Sequence, residues 1–215
     1  MSRLAVRGIL CAVSSDDAAL IEAWRAGDAR AADTLLRRYF DPLWRFFRNK
    51  VDDQAEEMIQ RTMTALLKTR EQFRGESSFR TYLFRVARSE LFRFYRERER
   101  AAERFNFDSV SVADMGASPS SVVARREHER ALLIALRRIP LESQIVLEWH
   151  YWEDMRMIDI AEALSVPLGT AKSRIRRARE QLEQALHETI ESREQLTSTL
   201  QNLEGWAKRL REAVG

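Results

Sequence analysis

MIDIAEALSVPLGTAKSRIRRAREQ, residues 157–181, reads as a short helix, a tight turn and a longer helix. Ile158, Ile160, Ala161 and Leu164 give the first helix an apolar face, and the small Ala161 lets a second helix cross closely. The break is SVPLG, residues 165–169, where Pro167 and Gly169 disfavour continuous helix. Thr170 is placed to cap the second helix. In that helix Ala171, Ile175, Ala178 and Leu182 recur at spacings of four, three and four, which is one buried stripe. At about 100° per residue, Ser173, Arg176, Arg177 and Glu180 point the other way, with Lys172, Arg174 and Arg179 on the flanks. A helix that is basic on its outer face and held across a short partner fits the major groove of duplex DNA. A plain solvated face is the alternative reading of these charges. The turn and the stripe together favour a helix-turn-helix.

Composition bounds the rest. The chain has 215 residues, 45% of them hydrophobic and 32% charged, enough for one or two small cores. Seven Gly and four Pro argue against a sheet-rich fold with many turns. Net charge is only +3, yet the 36 Lys and Arg are clustered, so local fields matter more than the sum. Cys11 is the single cysteine, which excludes an internal disulfide and a multi-cysteine metal site and suits a reducing, cytoplasmic setting. His128, His150 and His187 are far apart, and no Gly-rich phosphate loop, His-Glu-x-x-His helix or nucleophile elbow occurs. No enzyme, metal or other cofactor is expected. No stretch is long enough to span a membrane, so none should insert.

Working outward, residues 141–152 and 120–138 read as helices separated at Ile139-Pro140, and they carry the helix-turn-helix. Upstream, residues 103–121 show no sustained period and contain Gly, Pro, Ser and the acids Glu103, Asp108 and Asp114; this is a flexible linker. Before it, Ser78 caps a helix reaching about residue 100, in which aromatic residues alternate with Arg80, Arg85, Arg88, Arg93, Arg96 and Arg98. Phe79, Leu83, Val86, Leu91 and Phe94 fit one buried face, leaving either a solvated arginine face or a surface where arginines hold phosphates and aromatics stack on unpaired bases. A helix over 54–70, capped by Asp52 or Asp53, turns Met58, Ile59, Met63, Leu66 and Leu67 inward and Glu56, Glu57 and Gln60 outward. Residues 28–50 read as one long apolar helix kinked at Pro42, and 15–25 as a short amphipathic one. Residues 1–14 read as a leader. Beyond 188, Leu196, Leu200, Leu203, Ala207, Leu210 and Val214 form a heptad stripe interrupted by Gly205, which docks on its own domain or, alternatively, on a partner. The expected fold is all-α: a helical domain over 15–102, a linker over 103–121, a helix-turn-helix domain over 122–187 and a C-terminal amphipathic helix over 188–215.

This order of parts resembles the extracytoplasmic-function (ECF) group of the bacterial RNA polymerase sigma-70 family, with regions 2 and 4. AEEMIQRTM, residues 55–63, is similar to the family's acidic polymerase-binding helix. FRGESSFRTYLFRVARSEL, residues 73–91, resembles its −10 loop and helix, and residues 136–182 resemble region 4 almost throughout. The chain departs from the pattern at Arg61, where the family usually has Glu, at Tyr82 for Trp and at Ser89 for Asn.

The resemblance implies a sigma factor that binds core RNA polymerase, recognises the −35 and −10 elements of promoter DNA and promotes transcription initiation. It implies polymerase contacts from Asp53, Glu56, Glu57 and Gln60. It implies −10 contacts from Arg74, Ser77, Phe79, Arg80, Tyr82, Arg85 and Arg88, the loop capturing a flipped base while Arg80, Arg85 and Arg88 hold the strand. The −35 contacts fall to Thr170, Lys172, Ser173, Arg174, Arg176 and Arg177, and the acidic linker threads towards the polymerase channel. Many members are held by an anti-sigma factor, and no residue here identifies one. Two other classes compete: a stand-alone helix-turn-helix regulator, which leaves the arginine-aromatic helix unused, and a scaffold working through the C-terminal stripe.

Overall fold

The computed structural model describes residues 15–69, 73, 77–98, 106–115, 127–189 and 205. Among them every regular element is helical. The first domain comprises α1 (Ser15–Arg25), α2 (Ala29–Arg38), α3 (Phe40–Arg48), α4 (Ala55–Lys68) and α5 (Phe79–Arg98). The second comprises α6 (Glu127–Arg138), α7 (Leu141–Tyr151), α8 (Met157–Leu164) and α9 (Leu168–Thr189). The leader over 1–14, the start of the 120–138 helix and, apart from Glu188, Thr189 and Gly205, the C-terminal extension lie outside the described residues. Among the described residues no helix is long and apolar enough to cross a membrane.

Local chemistry sets the ends of these helices. Gly27 closes α1 at φ +97°, a conformation suited to glycine, and the Asp28 carboxylate then accepts from the N–H groups of Arg30 (2.8 Å) and Ala31 (3.3 Å) to cap α2. The helix expected to run kinked from 28 to 50 is two helices. Pro42 has no N–H to give the Arg38 carbonyl, so the chain breaks at Tyr39 and restarts as α3. The expected Asp52 or Asp53 cap is replaced by a single 3-10 turn, Asp52–Gln54, leading into α4. Ser78 does cap α5, its hydroxyl accepting from the Thr81 N–H at 3.1 Å.

The turn between α8 and α9 differs in detail from the expectation. Ser165 takes the left-handed conformation (φ 55°) that ends α8, and the Pro167 carbonyl accepts from Thr170 and Ala171, so Thr170 lies in the first turn of α9 rather than at its cap. Gly169 is inside the helix. The stripe Ala171, Ile175, Ala178 and Leu182 is buried against α6, α7 and α8. Ile158, expected inward, is 50% exposed, and so is much of Leu67 on α4. Each sits at the edge of its stripe, where spacing alone does not separate core from rim.

The domains pack against each other. α5 lies along α8, and Phe84 meets Trp149 with ring centroids 6.3 Å apart. Residues 106–115 of the linker are docked here. Phe107, Val112 and Met115 are buried, and Phe107 stacks on Phe92 of α5 at 4.1 Å. The carbonyls of Val110 and Phe107 accept from the N–H groups of Leu141 and Glu142, two first-turn donors of α7 that its own helix leaves unpaired. The linker is thus also the cap of α7. Its turn is closed by Asp114, whose carboxylate accepts from the Ser111 N–H and hydroxyl.

Between the domains lies Lys50, fully buried, its ammonium donating to the Phe46 carbonyl at 2.6 Å and to the Glu148 carboxylate of α7. Glu148 also accepts from the Gln144 side chain at 2.8 Å. Burial pulls the Lys50 pKa below its usual value against the opposing pull of Glu148.

Lys50→Met should therefore destabilise the chain by about 3–5 kcal/mol in urea denaturation, because Glu148 is left buried without its counter-charge. The double variant Lys50→Met/Glu148→Met should recover much of that loss. Phe79, 1% exposed between Trp24, Tyr39 and Phe73, is packed as core. Phe79→Ala should cost about 3–5 kcal/mol in the same measurement; an unchanged midpoint would show that its ring is not part of the core.

Candidate nucleic-acid and polymerase interfaces

The outer face of α9 is open. Thr170, Lys172, Ser173, Arg176 and Arg177 are exposed, and Arg174, on the flank of the buried stripe, is half-buried. Arg176 approaches Glu180 only at 3.9 Å, and both are well exposed, so this pair holds little of the arginine's charge back. Ser173 donates its hydroxyl to the Thr170 carbonyl at 2.9 Å. The first two turns of the helix thus offer a row of long cations over a rigid base, which suits base edges and flanking phosphates in a major groove.

The acidic face of α4 is equally open, with Asp53, Glu56, Glu57 and Gln60 all exposed. Glu56 and Glu57 lie in the first turn, where the helix dipole favours carboxylates whether or not a partner is present. Arg61, the residue that departs from the family pattern, is tied down by Glu57 (2.8 Å) and by Glu97 of α5 (2.9 Å). Its charge is spent bridging α4 to α5 instead of standing alone in the acidic face.

The α5 face is different. Arg74 lies outside the described residues. Ser77, Phe79 and Tyr82, expected at the DNA surface, are buried. Tyr82 donates its hydroxyl to Thr69 Oγ1 at 2.6 Å, and its ring packs on Phe73, so the two rings brace the turn before α5 instead of facing a base. Helical spacing puts Phe79 but not Tyr82 on the buried face of α5; the tertiary packing draws both rings, with Phe46, Phe47, Phe84 and Tyr95, into a core that mixes aromatics with aliphatics. Trp24 and Tyr39 are held in the same cluster, and the Tyr39 hydroxyl donates to buried Asp17 at 2.5 Å.

The arginines of α5 do reach the surface, but two meet carboxylates of the second domain. Arg80 donates to Glu153 Oε2 at 2.7 Å and to the Glu153 carbonyl at 3.1 Å. Arg88 donates through Nε to Glu142 Oε2 at 3.1 Å, with a second contact to the other oxygen, and lies over the Phe92 ring at 4.3 Å. Arg85 stands over the Tyr82 ring at 5.2 Å. Arg45 of α3 also faces Glu153 at 3.5 Å. Burial pushes the Glu153 carboxyl up, opposed by the charges of Arg45 and Arg80. Sequence reasoning missed Lys50, Glu142, Glu148 and Glu153. The available signal was α7, whose apolar positions Leu141, Ile145, Val146, Leu147 and Trp149 surround the helix and so require its acids to be buried.

Comparison with known proteins matches this organisation. The family models for Sigma-70 region 2 and Sigma-70 region 4 match residues 35–101 and 129–182, together more than half of the chain. The ECF RNA polymerase sigma-E factor of Haemophilus influenzae is 27% identical over 176 residues, covering 78% of this chain and 93% of that protein. The RNA polymerase sigma-H factor of Pseudomonas aeruginosa is 29% identical over 182 residues, covering 79% and 93%. Among solved structures, CnrH in complex with the cytosolic domain of CnrY has a similar fold, with TM-score 0.57, 18% identity and coverage of 81% and 99%. The sigma factor RpoE in complex with the anti-sigma factor NepR from Bartonella quintana gives TM-score 0.51 at 22% identity, with coverage of 69% and 92%. On the two region matches and the named relatives, the chain belongs to the ECF group of the sigma-70 family of RNA polymerase sigma factors.

Proposed function

We propose that this chain joins bacterial core RNA polymerase through the acidic face of α4, reads a −35 element with α9 and holds the −10 strand with α5, and so directs transcription initiation. The observation that carries this is the placing of chemically distinct faces on two domains: exposed carboxylates on α4 and exposed cations on α9, with an arginine-rich α5 between. A protein face and a duplex face on separate domains suit a subunit that bridges an enzyme to DNA.

In this reading Asp53, Glu56, Glu57 and Gln60 dock on polymerase, and Lys172, Arg174, Arg176 and Arg177 enter the −35 major groove beside Thr170 and Ser173. Arg80, Arg85 and Arg88 take strand phosphates, as does Arg74 on the sequence resemblance, with Ser77 just before α5, while Phe79 and Tyr82 act from beneath as the packing that holds α5 in position. The protein is non-catalytic and works in the cytoplasm. An anti-sigma factor is a further partner, a proposal supported by the fold shared with the Bartonella sigma factor seen in such a complex.

The direct test is transcription by bacterial core polymerase on a pool of promoter fragments, with and without this protein. Protein-dependent transcripts sharing a −35/−10 pair are expected. Absence of any response from polymerase, with duplex retained by the protein alone, would point to a stand-alone regulator. Arg176→Ala/Arg177→Ala should lower transcription about tenfold or more, since a bidentate arginine–guanine contact is worth about 1–3 kcal/mol. Capture of the variant by core polymerase should be unchanged; its loss would overturn the division of labour between α9 and α4.

A further inference from the structure

Helices α4 and α5 lie antiparallel: Arg61 of α4 meets Glu97 near the end of α5, and Thr69, just after α4, meets Tyr82 near the start of α5. We infer that Arg61 and Tyr82 are a pair of ties that fix the angle of α4 on α5, and that Arg61 is thereby a positioning residue for polymerase capture; this rests on the polymerase-docking role proposed for α4.

Between the ties the helices pack through apolar side chains. Met58, Ile59 and Leu66 of α4 are buried, as are Leu83, Ala87 and Leu91 of α5. Apolar burial is non-directional, so it fixes area more than rotation, whereas a hydrogen bond weakens steeply as its angle changes. The two polar contacts supply that direction from opposite ends. At one end the Tyr82 hydroxyl donates to Thr69 Oγ1 at 2.6 Å, and Thr69 Oγ1 donates onward to the Ala65 carbonyl at 2.8 Å, so the tie enters the last turn of α4. At the other end Arg61 Nη1 donates to Glu97 Oε2 at 2.9 Å, while Nε and Nη2 reach Glu57 Oε1 at 3.0 and 2.8 Å. A planar guanidinium that serves two carboxylates at once also sets their relative position, which a compact ammonium does not.

Magnitude separates positioning from stability. The Arg61 side chain is 35% exposed and that of Glu97 is 54% exposed, and ion pairs this open to water add little to folding. Orientation is what remains for the tie to govern. Glu57 is both an arm of the fork and a carboxylate of the docking face, so its place depends on Arg61. The two ties are also two of the positions where the chain departs from the family pattern. A glutamate at position 61 would set a third carboxylate beside Glu57 and Glu97, and a tryptophan at position 82 would lack the hydroxyl that meets Thr69.

The test is the affinity of the full chain for bacterial core polymerase, read by fluorescence anisotropy of the labelled chain. Arg61→Glu should bind about tenfold more weakly than wild type, and the swap Arg61→Glu/Glu97→Arg should recover most of the loss, as coupled neighbours do. Arg61→Glu/Glu22→Arg has the same net charge as the swap but alters an exposed residue of α1, and should recover nothing. Tyr82→Phe, which removes only the hydroxyl, should also weaken capture. Recovery by both double variants would reduce the effect to net charge and overturn the tie. A swap that recovers nothing would make Arg61 a direct polymerase contact and overturn it as well, and wild-type affinity in Tyr82→Phe would overturn the pairing of the two ends. Should circular dichroism show Arg61→Glu unfolded, Arg61→Gln and Glu97→Gln break the tie without adding like charge; both should bind more weakly, and wild-type affinity in either would sink the inference. If wild type itself is not captured, the proposed function falls; equal capture of wild type and Arg61→Glu removes the positioning role alone.

Discussion

An ammonium sealed from water needs a counter-charge, and Lys50 finds its own on the other domain. Lys50 ends the α3 segment of the first domain, and Glu148 belongs to α7 of the second. Neither charge is stable in its buried position without the other, so the pair makes the packing of the two domains conditional on their register. Around it the contacts are arranged to suit: Phe84 against Trp149, Arg80 and Arg45 on Glu153, and Arg88 on Glu142. Apolar contact supplies area here, and the ions decide alignment.

The linker belongs to the same arrangement. A chain segment without helical or strand period is ordinarily a spacer, yet residues 106–115 give two carbonyls to the start of α7 and three side chains to the core. A proline at residue 140 cannot supply a capping side chain to α7, and the linker backbone takes that role. Separation of the two domains therefore has to break either the Phe107–Phe92 stack or the linker's hydrogen bonds to α7. This couples the position of the linker to the exposure of α5.

Arginine serves three purposes in this chain, and its surroundings separate them. On α9 it stands in solvent, available to a groove. On α4, Arg61 bridges Glu57 and Glu97 and so keeps the departure from the family pattern from placing an unpaired cation within the acidic face. On α5, Arg80 and Arg88 are held by acids of the other domain. The same side chain is a binding group, a brace or a closed site according to the carboxylate within reach.

Much of this fold is legible in the amino-acid order. The 3.6-residue period placed the α9 stripe and its outward cations, Ser78 announced the start of α5, and Asp28 that of α2, because these are local matters of spacing and capping. Pro42 was visible as a disturbance, although whether it kinks or divides a helix depends on the packing on either side. What the amino-acid order by itself determined is which helices form and which faces are charged. The tertiary structure alone decided that Tyr82 lies inside, that the linker docks, and that Lys50, Glu142, Glu148 and Glu153 meet across the domains. Burial and ion pairing between residues up to 98 positions apart are set by how elements pack, and no local period records which carboxylate a distant cation will find.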